Sequence, residues 1–208
     1  MVRNTLRYRP TSGLRALALS GSNGFTLIEL LTVTAIIVIV SSIILVNNNR
    51  FGGVVQLENL TYDVALSIRQ AQVYGISVER YGANDFSGAY GMHFAVGDPT
   101  HYELFADSDK DGFFSAGENV APSPYTIRSG FKINRLCSPQ GADPSSCTSV
   151  STLDITFKRP ESSAYIRKDG GAGIVESARI VLVSPRGDIM SVVVGANGQI
   201  SVRRGLSQ

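Results

Sequence analysis

The longest apolar run of the chain covers residues 25–46 and reads FTLIELLTVTAIIVIVSSIILV. Glu29 is the only charged residue between Arg15 and Arg50. As a helix, this run would be roughly 33 Å long, which is enough to cross a hydrocarbon core of about 30 Å. The pattern therefore predicts a transmembrane helix, which we place at residues 25–50.

A short polar and glycine-containing stretch, NNNRFGG at residues 47–53, interrupts this pattern, because asparagine and glycine are weak helix formers. The continuity of the helix through this stretch stays open. Apolar residues then recur every three or four positions, which predicts an amphipathic helix over residues 51–80. Its apolar stripe comprises Leu57, Leu60, Val64, Ile68, Ala71 and Tyr74.

From residue 81 onwards short apolar runs alternate with turn residues, which is typical of strands in an antiparallel sheet. Turn-forming residues at 185–188 (PRGD) and 195–198 (GANG) predict two hairpins near the C-terminus. The fold class is therefore α+β, with a long N-terminal helix packed on a β-rich domain at residues 81–208. The predicted strands are 90–95, 102–106, 125–127, 131–136, 153–157, 179–184, 189–194 and 199–203.

Composition and charge narrow the functional classes. The chain has 208 residues, of which 43% are apolar and 17% charged, so a wholly disordered chain is excluded. The formal net charge is +2, but four arginines precede the first acid, and without them it becomes −2. A basic segment before an apolar helix predicts a cytoplasmic N-terminus and an exported C-terminal domain. The four arginines are Arg3, Arg7, Arg9 and Arg15.

The residues at the start of the apolar run resemble a known signal. Gly24-Phe25-Thr26-Leu27-Ile28-Glu29, after a basic leader and before an apolar helix, resembles the class III signal of type IV pilins and type II secretion pseudopilins. An ordinary single-pass signal anchor is the alternative. Glu29 disfavours it, because an unpaired carboxylate inside a bilayer is costly.

The resemblance implies that a prepilin peptidase removes residues 1–24 and that the new N-terminus at Phe25 is N-methylated. Glu29 would pair with the terminal amine of a neighbouring subunit. The implied partners are other pilin or pseudopilin subunits, inner-membrane lipid, the prepilin peptidase and methyltransferase, and an assembly platform. The helix and the final three strands resemble the pseudopilin H and minor pilin T/U group.

A separate motif lies in the predicted exported domain. Residues 107–118, DSDKDGFFSAGE, fit the calcium-loop pattern D-x-[DN]-x-[DN]-G-x5-E. Gly112 allows the sharp turn, and Phe114 would anchor the loop to a core. The alternative is a solvated acidic turn, and the flanking residues do not form EF-hand helices. The predicted Ca²⁺ ligands are Asp107, Asp109, Asp111, the Phe113 carbonyl, Ser115 through water, and Glu118.

The only two cysteines, Cys137 and Cys147, are predicted to form a disulfide, because the domain would be exported to an oxidising compartment.

Neither His93 nor His101 has a spaced partner for a zinc site, and no serine lies in G-x-S-x-G. The sequence therefore predicts no enzyme, and the resemblance implies a minor pilin or pseudopilin, a structural subunit of a type IV pilus or type II secretion pseudopilus. A DNA-binding minor pilin that uses Arg203 and Arg204 is the alternative. Which secretion, pilus or DNA-uptake machine the subunit serves stays open.

Overall fold

Where the structure describes the chain, it contains a single helix, α1, which runs from Leu27 to Ile76. The computed structural model describes residues 24–77 and 88–205, without the side chains of residues 46–51. Apart from Gly24, the predicted leader lies outside the described residues. The helical backbone includes residues 47–53, where the sequence left continuity open. The chain divides within α1 into two compact units, Met1–Leu45 and Val46–Gln208.

In the second unit, α1 buries the stripe that the sequence predicts. Leu57, Val64, Ile68 and Ala71 are fully buried, while Leu60 and Tyr74 pack against the same core. This spacing of three or four residues places them on one face of a helix. A buried polar residue of α1 also bonds to the β-rich part of this unit. Gln72 Nε2 donates to the carbonyl oxygens of Ser162 and Gly198 at 2.8 and 3.1 Å.

The described residues after α1 form eleven strands, and every pairing between these strands is antiparallel. Their bounds are β1 Ala89–Ala95, β2 His101–Asp107, β3 Tyr125–Thr126, β4 Lys132–Cys137, β5 Ser149–Val150, β6 Thr152–Phe157, β7 Ala164–Lys168, β8 Gly171–Val175, β9 Ser177–Val183, β10 Ile189–Gly195 and β11 Ile200–Arg204.

The strands form two sheets. One sheet has the order β3-β2-β1-β6-β7-β8, and the other has the order β11-β10-β9-β4-β5. Apolar side chains from both sheets and from α1 share one buried cluster, which includes Phe94, Leu104, Ile155, Ile180 and Val192. The predicted α+β class is confirmed, and the β-rich part consists of two sheets.

The two predicted C-terminal hairpins are confirmed. The Ser184 amide donates to the Asp188 carbonyl at 2.9 Å across the first turn, and the Gly195 amide donates to the Gln199 carbonyl at 2.9 Å across the second. β9, β10 and β11 consequently pair in sequence order as a meander. Every predicted strand overlaps an observed one, but β5, β7 and β8 were not predicted.

Candidate functional site

The acidic loop at residues 108–118 begins where β2 ends. Asp107 is the last residue of β2 and lies opposite Ala89, the first residue of β1. The chain then returns to β2, because Phe105 bridges Asn119 and the Ala106 amide donates to the Glu118 carbonyl at 2.9 Å. This return brings the two ends of the predicted calcium motif side by side.

Three carboxylates of the motif come together. One oxygen from each of Asp107, Asp109 and Glu118 lies within 4.8 Å of the other two. Asp107 is 4% exposed and Glu118 is 5% exposed, while Asp109 is exposed to solvent. The cluster thus combines two buried acids with one solvent-facing acid at the mouth of the loop.

The two buried carboxylates have different surroundings. Glu118 Oε1 accepts hydrogen bonds from the amide and the hydroxyl of Ser108, both at 2.8 Å, and Oε2 accepts from the Ser115 amide at 2.9 Å. Asp107 Oδ1, in contrast, is buried and has no hydrogen-bond partner. A buried polar atom without a partner carries an uncompensated desolvation cost.

Burial raises the pKa of Asp107 above its ordinary value. A backbone hydrogen bond from Gly112 opposes the shift, while the nearby carboxylates of Glu118, Asp111 and Asp109 reinforce it. The direction follows from physics, since both burial and like charges disfavour an ionised acid. A cation placed among these oxygens would stabilise the ionised form of Asp107 and so oppose both effects.

The remaining predicted ligands have other contacts. Asp111 Oδ1 accepts a hydrogen bond from the Phe113 amide at 2.7 Å and lies outside the three-carboxylate cluster. Asp109 Oδ1 accepts one from the Asp111 amide at 3.2 Å. Gly112 has a φ of +80°, as the predicted sharp turn requires, and a β-carbon there would stand 1.6 Å from Arg167 Nη1.

Phe114 attaches the loop to the first sheet, as predicted. Its ring lies 5.0 Å from the His93 ring and 5.7 Å from the Phe105 ring, measured between centroids. Its amide donates to Asp154 Oδ1 at 3.2 Å, and the same oxygen lies 2.7 Å from His93 Nδ1. Sequence reasoning missed this His93–Asp154 pair, because 61 positions separate the two residues along the chain.

The predicted disulfide between Cys137 and Cys147 is present, with a Cα–Cα distance of 5.5 Å. Sequence reasoning did not identify the residue that fixes the loop it closes. Arg179 on β9 is 1% exposed and donates to the carbonyl oxygens of Gln140, Gly141 and Ala142 at 2.8, 3.0 and 3.3 Å. Burial, and then the charge of Arg203, lower the pKa of Arg179.

The two arginines of the DNA-binding alternative lie at the end of β11, an edge strand of the second sheet. Both are exposed. Arg204 Nη2 lies 3.0 Å from Glu58 Oε2 on α1 and forms an ion pair with it. This contact neutralises part of the positive charge that a phosphate backbone would need.

The N-terminal end of α1 has a local cap. Thr26 precedes the first helical residue, its Oγ1 accepts the Glu29 amide at 3.3 Å, and its carbonyl accepts the Leu30 amide at 3.1 Å. Thr26-x-x-Glu29 therefore has the residue types and spacing of a capping box, in which the glutamate side chain also supports the first turn.

The helix beyond this cap is apolar on all sides. Leu27–Leu45 is long and apolar enough to span a membrane, and every residue in it is exposed. Its hydroxyls bond within the helix, as Thr32 Oγ1 donates to the Glu29 carbonyl and Ser42 Oγ to the Val38 carbonyl. Glu29 is the one charged side chain of this segment.

Comparison with known families identifies this end of the chain. A family model described as the prokaryotic N-terminal methylation motif matches residues 19–45. The chain carries a prokaryotic N-terminal methylation motif. No curated protein and no solved structure matches the chain.

The methylation motif is the class III signal of type IV pilins and pseudopilins, and it contains all three residues of the predicted processing and assembly site. Gly24 and Phe25 flank the predicted cleavage point, and Glu29 lies in the first turn of α1. A methylation motif together with an apolar helix is typical of membrane-anchored pilin-like and pseudopilin subunits, which are structural proteins. Assembly with other subunits and processing by a peptidase are typical of proteins that carry this motif.

Proposed function

We propose that the chain is a minor pilin or pseudopilin that is held in the inner membrane and assembles into a filament through Leu27–Leu45. The observation that carries the proposal is the methylation motif, whose matched residues 19–45 include the fully exposed apolar helix Leu27–Leu45. Such a surface is stable only in lipid or against other apolar helices. The second unit, Val46–Gln208, which is the β-rich unit of the chain, would lie in the periplasm or on the filament exterior.

Glu29 would set the register between neighbouring subunits. After removal of residues 1–24, the free amine of Phe25 would stand just before the helix cap, at nearly the depth of Glu29. In a bundle of such helices, a carboxylate and an amine at the same depth neutralise each other. The local alternative is that Glu29 serves only the capping box formed with Thr26.

Three variants separate these two roles. Glu29→Gln keeps a side chain that completes a capping box but removes the charge, whereas Glu29→Ala removes both. Thr26→Ala removes the cap hydroxyl and costs the helix about 1 kcal/mol, but it keeps the charge. We expect both Glu29 variants to insert into the membrane and to be excluded from filaments, and Thr26→Ala to assemble.

The measurement is the fraction of each variant that co-purifies with sheared filaments, relative to its amount in membranes. Normal incorporation of Glu29→Gln would show that Glu29 acts only within its own helix. The assembly proposal requires the negative charge of Glu29, so Glu29→Gln must be excluded from the filaments.

Processing provides an independent test. Intact-mass measurement of the membrane form is expected to give a chain that begins at Phe25 and carries one methyl group. Gly24→Leu places a bulky side chain at the cleavage point and is expected to leave the leader attached. A wild-type chain that retains Met1 in the membrane would overturn the proposed function.

The assignment as a minor subunit rests on the resemblance of the chain to one group of pilins and pseudopilins. The meander of β9, β10 and β11 and the stripe of α1 are the parts that resemble the pseudopilin H and minor pilin T/U group. We infer a minor subunit, delivered to an assembly platform with its N-terminus on the cytoplasmic side before processing. Deletion of the gene for this chain in the native host distinguishes a type II secretion system from a type IV pilus. Loss of secretion would indicate the first, and loss of filaments would indicate the second.

DNA binding through Arg203 and Arg204 stays the alternative. The exposed position of both residues on an edge strand supports it, and the Glu58 ion pair argues against it. Such binding would be sequence-independent and would weaken steeply with salt. A shift titration of duplex DNA with the solubilised chain, repeated at two salt concentrations and with Arg203→Ala/Arg204→Ala, provides the test.

A further inference from the structure

We propose that the loop at residues 108–118 binds one Ca²⁺ ion through the carboxylates of Asp107, Asp109 and Glu118. This proposal concerns the β-rich unit and does not depend on filament assembly. It also revises the set of ligands that the sequence motif suggests, because it gives Asp111 a different role from Asp109.

The first support is the cluster itself, in which one oxygen from each of the three acids lies within 4.8 Å of the others. Hard oxygen ligands at this separation suit Ca²⁺, which is bound by carboxylates, carbonyls and water. Among the ion pairs of the described residues, none includes Asp107, Asp109 or Glu118. No arginine, lysine or histidine within that part of the chain therefore neutralises the cluster at salt-bridge distance.

The second, independent support is Asp107. Its side chain is 4% exposed, it contributes an oxygen to the cluster, and its Oδ1 lacks any hydrogen-bond partner. Asp111, a carboxylate of the turn, faces solvent and accepts a backbone amide. Asp107 also interacts with the Gly112 amide, but its Oδ1 is buried and stays without a partner. The buried, unpartnered oxygen indicates that the cluster is a binding site for a cation.

The loop framework fits such an ion. Glu118 is already held by Ser108 and Ser115, so it needs no reorientation to present its oxygens. Phe114 anchors the far side of the loop on the first sheet. The Phe113 carbonyl and a water at Ser115, both suggested by the motif, would complete the coordination shell.

Asp111 orders the turn. Its Oδ1 accepts the Phe113 amide at 2.7 Å, and it lies outside the cluster. Asp109 and Asp111 are both exposed and carry the same charge, so they form a matched pair. Asn at either position keeps the oxygen that accepts the local amide, and only the charge is lost.

The experiment is calorimetric titration of the full chain, solubilised in detergent and freed of metal with chelator, with CaCl₂ and separately with MgCl₂. We expect a dissociation constant of about 10⁻⁴ to 10⁻³ M for Ca²⁺, as in extracellular calcium modules, and weaker binding of Mg²⁺, which demands stricter geometry. Asp109→Asn should weaken Ca²⁺ binding about tenfold or more, because the ligand loses its charge. Asp111→Asn should weaken it by about threefold or less, through the loss of a nearby screened charge.

Thermal melting provides the second readout and shows whether each variant folds. Ca²⁺ should raise the melting temperature of the wild type and of Asp111→Asn, because it binds the folded state, and should barely affect Asp109→Asn. Asp107→Asn should fold in chelator and show no calcium-dependent shift. No binding by the wild type at 10 mM CaCl₂ (about tenfold above the expected range) would overturn the proposal. Equal losses for Asp109→Asn and Asp111→Asn would overturn its ligand set.

Discussion

The backbone of Gly75 on α1 lies against the main chain of Phe157 on β6. A β-carbon at position 75 would stand 2.3 Å from the Phe157 carbonyl oxygen and 2.7 Å from its carbonyl carbon. Neither a helix nor a paired strand yields easily at such a contact, because both partners are backbone. Gly75 therefore sets how closely the helix approaches the first sheet.

We predict that Gly75→Ala lowers the free energy of unfolding by about 1–3 kcal/mol, despite the better helix propensity of alanine. Gly53→Ala is the matched control, since Gly53 is also helical and the added β-carbon would meet no atom within 4 Å beyond the neighbouring residues and the local helix backbone. The control should raise stability by up to about 1 kcal/mol. Thermal melting of the solubilised chain, followed by circular dichroism, measures both, and equal effects would contradict the close approach.

Replacing Arg179 should lower the stability of the folded chain even when the positive charge is kept. Arg179→Lys keeps the charge but cannot reach the carbonyls of Gln140, Gly141 and Ala142 with a planar fork. Each of these part-buried hydrogen bonds has a charged donor, and such a bond contributes about 1.5–3 kcal/mol. We expect a loss of about 2 kcal/mol or more in chemical denaturation. Arg203→Lys, on an exposed side chain, should stay within about 0.5 kcal/mol of the wild type.

Reduction of the Cys137–Cys147 disulfide should destabilise the β-rich unit. The bond closes a short loop, with a sequence separation of 10, and such a loop constrains the unfolded chain by about 2–3 kcal/mol. We expect the denaturation midpoint to fall when a reductant is added. Cys137→Ala/Cys147→Ala serves as the control, because its midpoint should not respond to the reductant. An unchanged wild-type midpoint would contradict the prediction.

Asp143, in the loop closed by the Cys137–Cys147 disulfide, should make the stability of the folded chain depend on pH. Hydrogen bonds from the hydroxyl and amide of Ser145 and the amide of Ser146 lower the pKa of Asp143 below 3.8. Since the folded state favours the ionised form, the stabilisation is present above about pH 4 and is lost as the pH falls through the lowered pKa. Asp143→Ala should therefore melt below the wild type at pH 7, and this difference should shrink towards pH 3. A constant difference would exclude a titrating carboxylate.

The sequence predicted those parts of the fold whose signal is local. The stripe from Leu57 to Ala71 follows the helix period, and the two C-terminal hairpins follow turn residues. The edge strand β8 was missed because its sequence, GAGIV, is rich in glycine and exposed on most positions. β5 has two residues, too few to form a pattern.

The candidate calcium site likewise combines features that are local in the sequence with features that depend on the folded chain. The sequence supplied the loop, because all ligands of the motif fall within residues 107–118. It could not separate Asp109 from Asp111, since the two differ only in what their oxygens contact in the folded chain. Asp154, which accepts the Phe114 amide, comes 40 positions later, and only sheet pairing brings it to the loop.

The exposed apolar surface of Leu27–Leu45 has a consequence for the energetics of assembly. Hydrocarbon chains and leucine side chains are about equally good solvents for such a surface, so exchanging lipid neighbours for helical ones changes its hydrophobic free energy little. Thr32 and Ser42 are satisfied within the helix in either environment. In the proposed filament, the partition between bilayer and filament would then depend mainly on Glu29, the single ionisable side chain of the segment. One carboxylate would set the equilibrium for the whole helix.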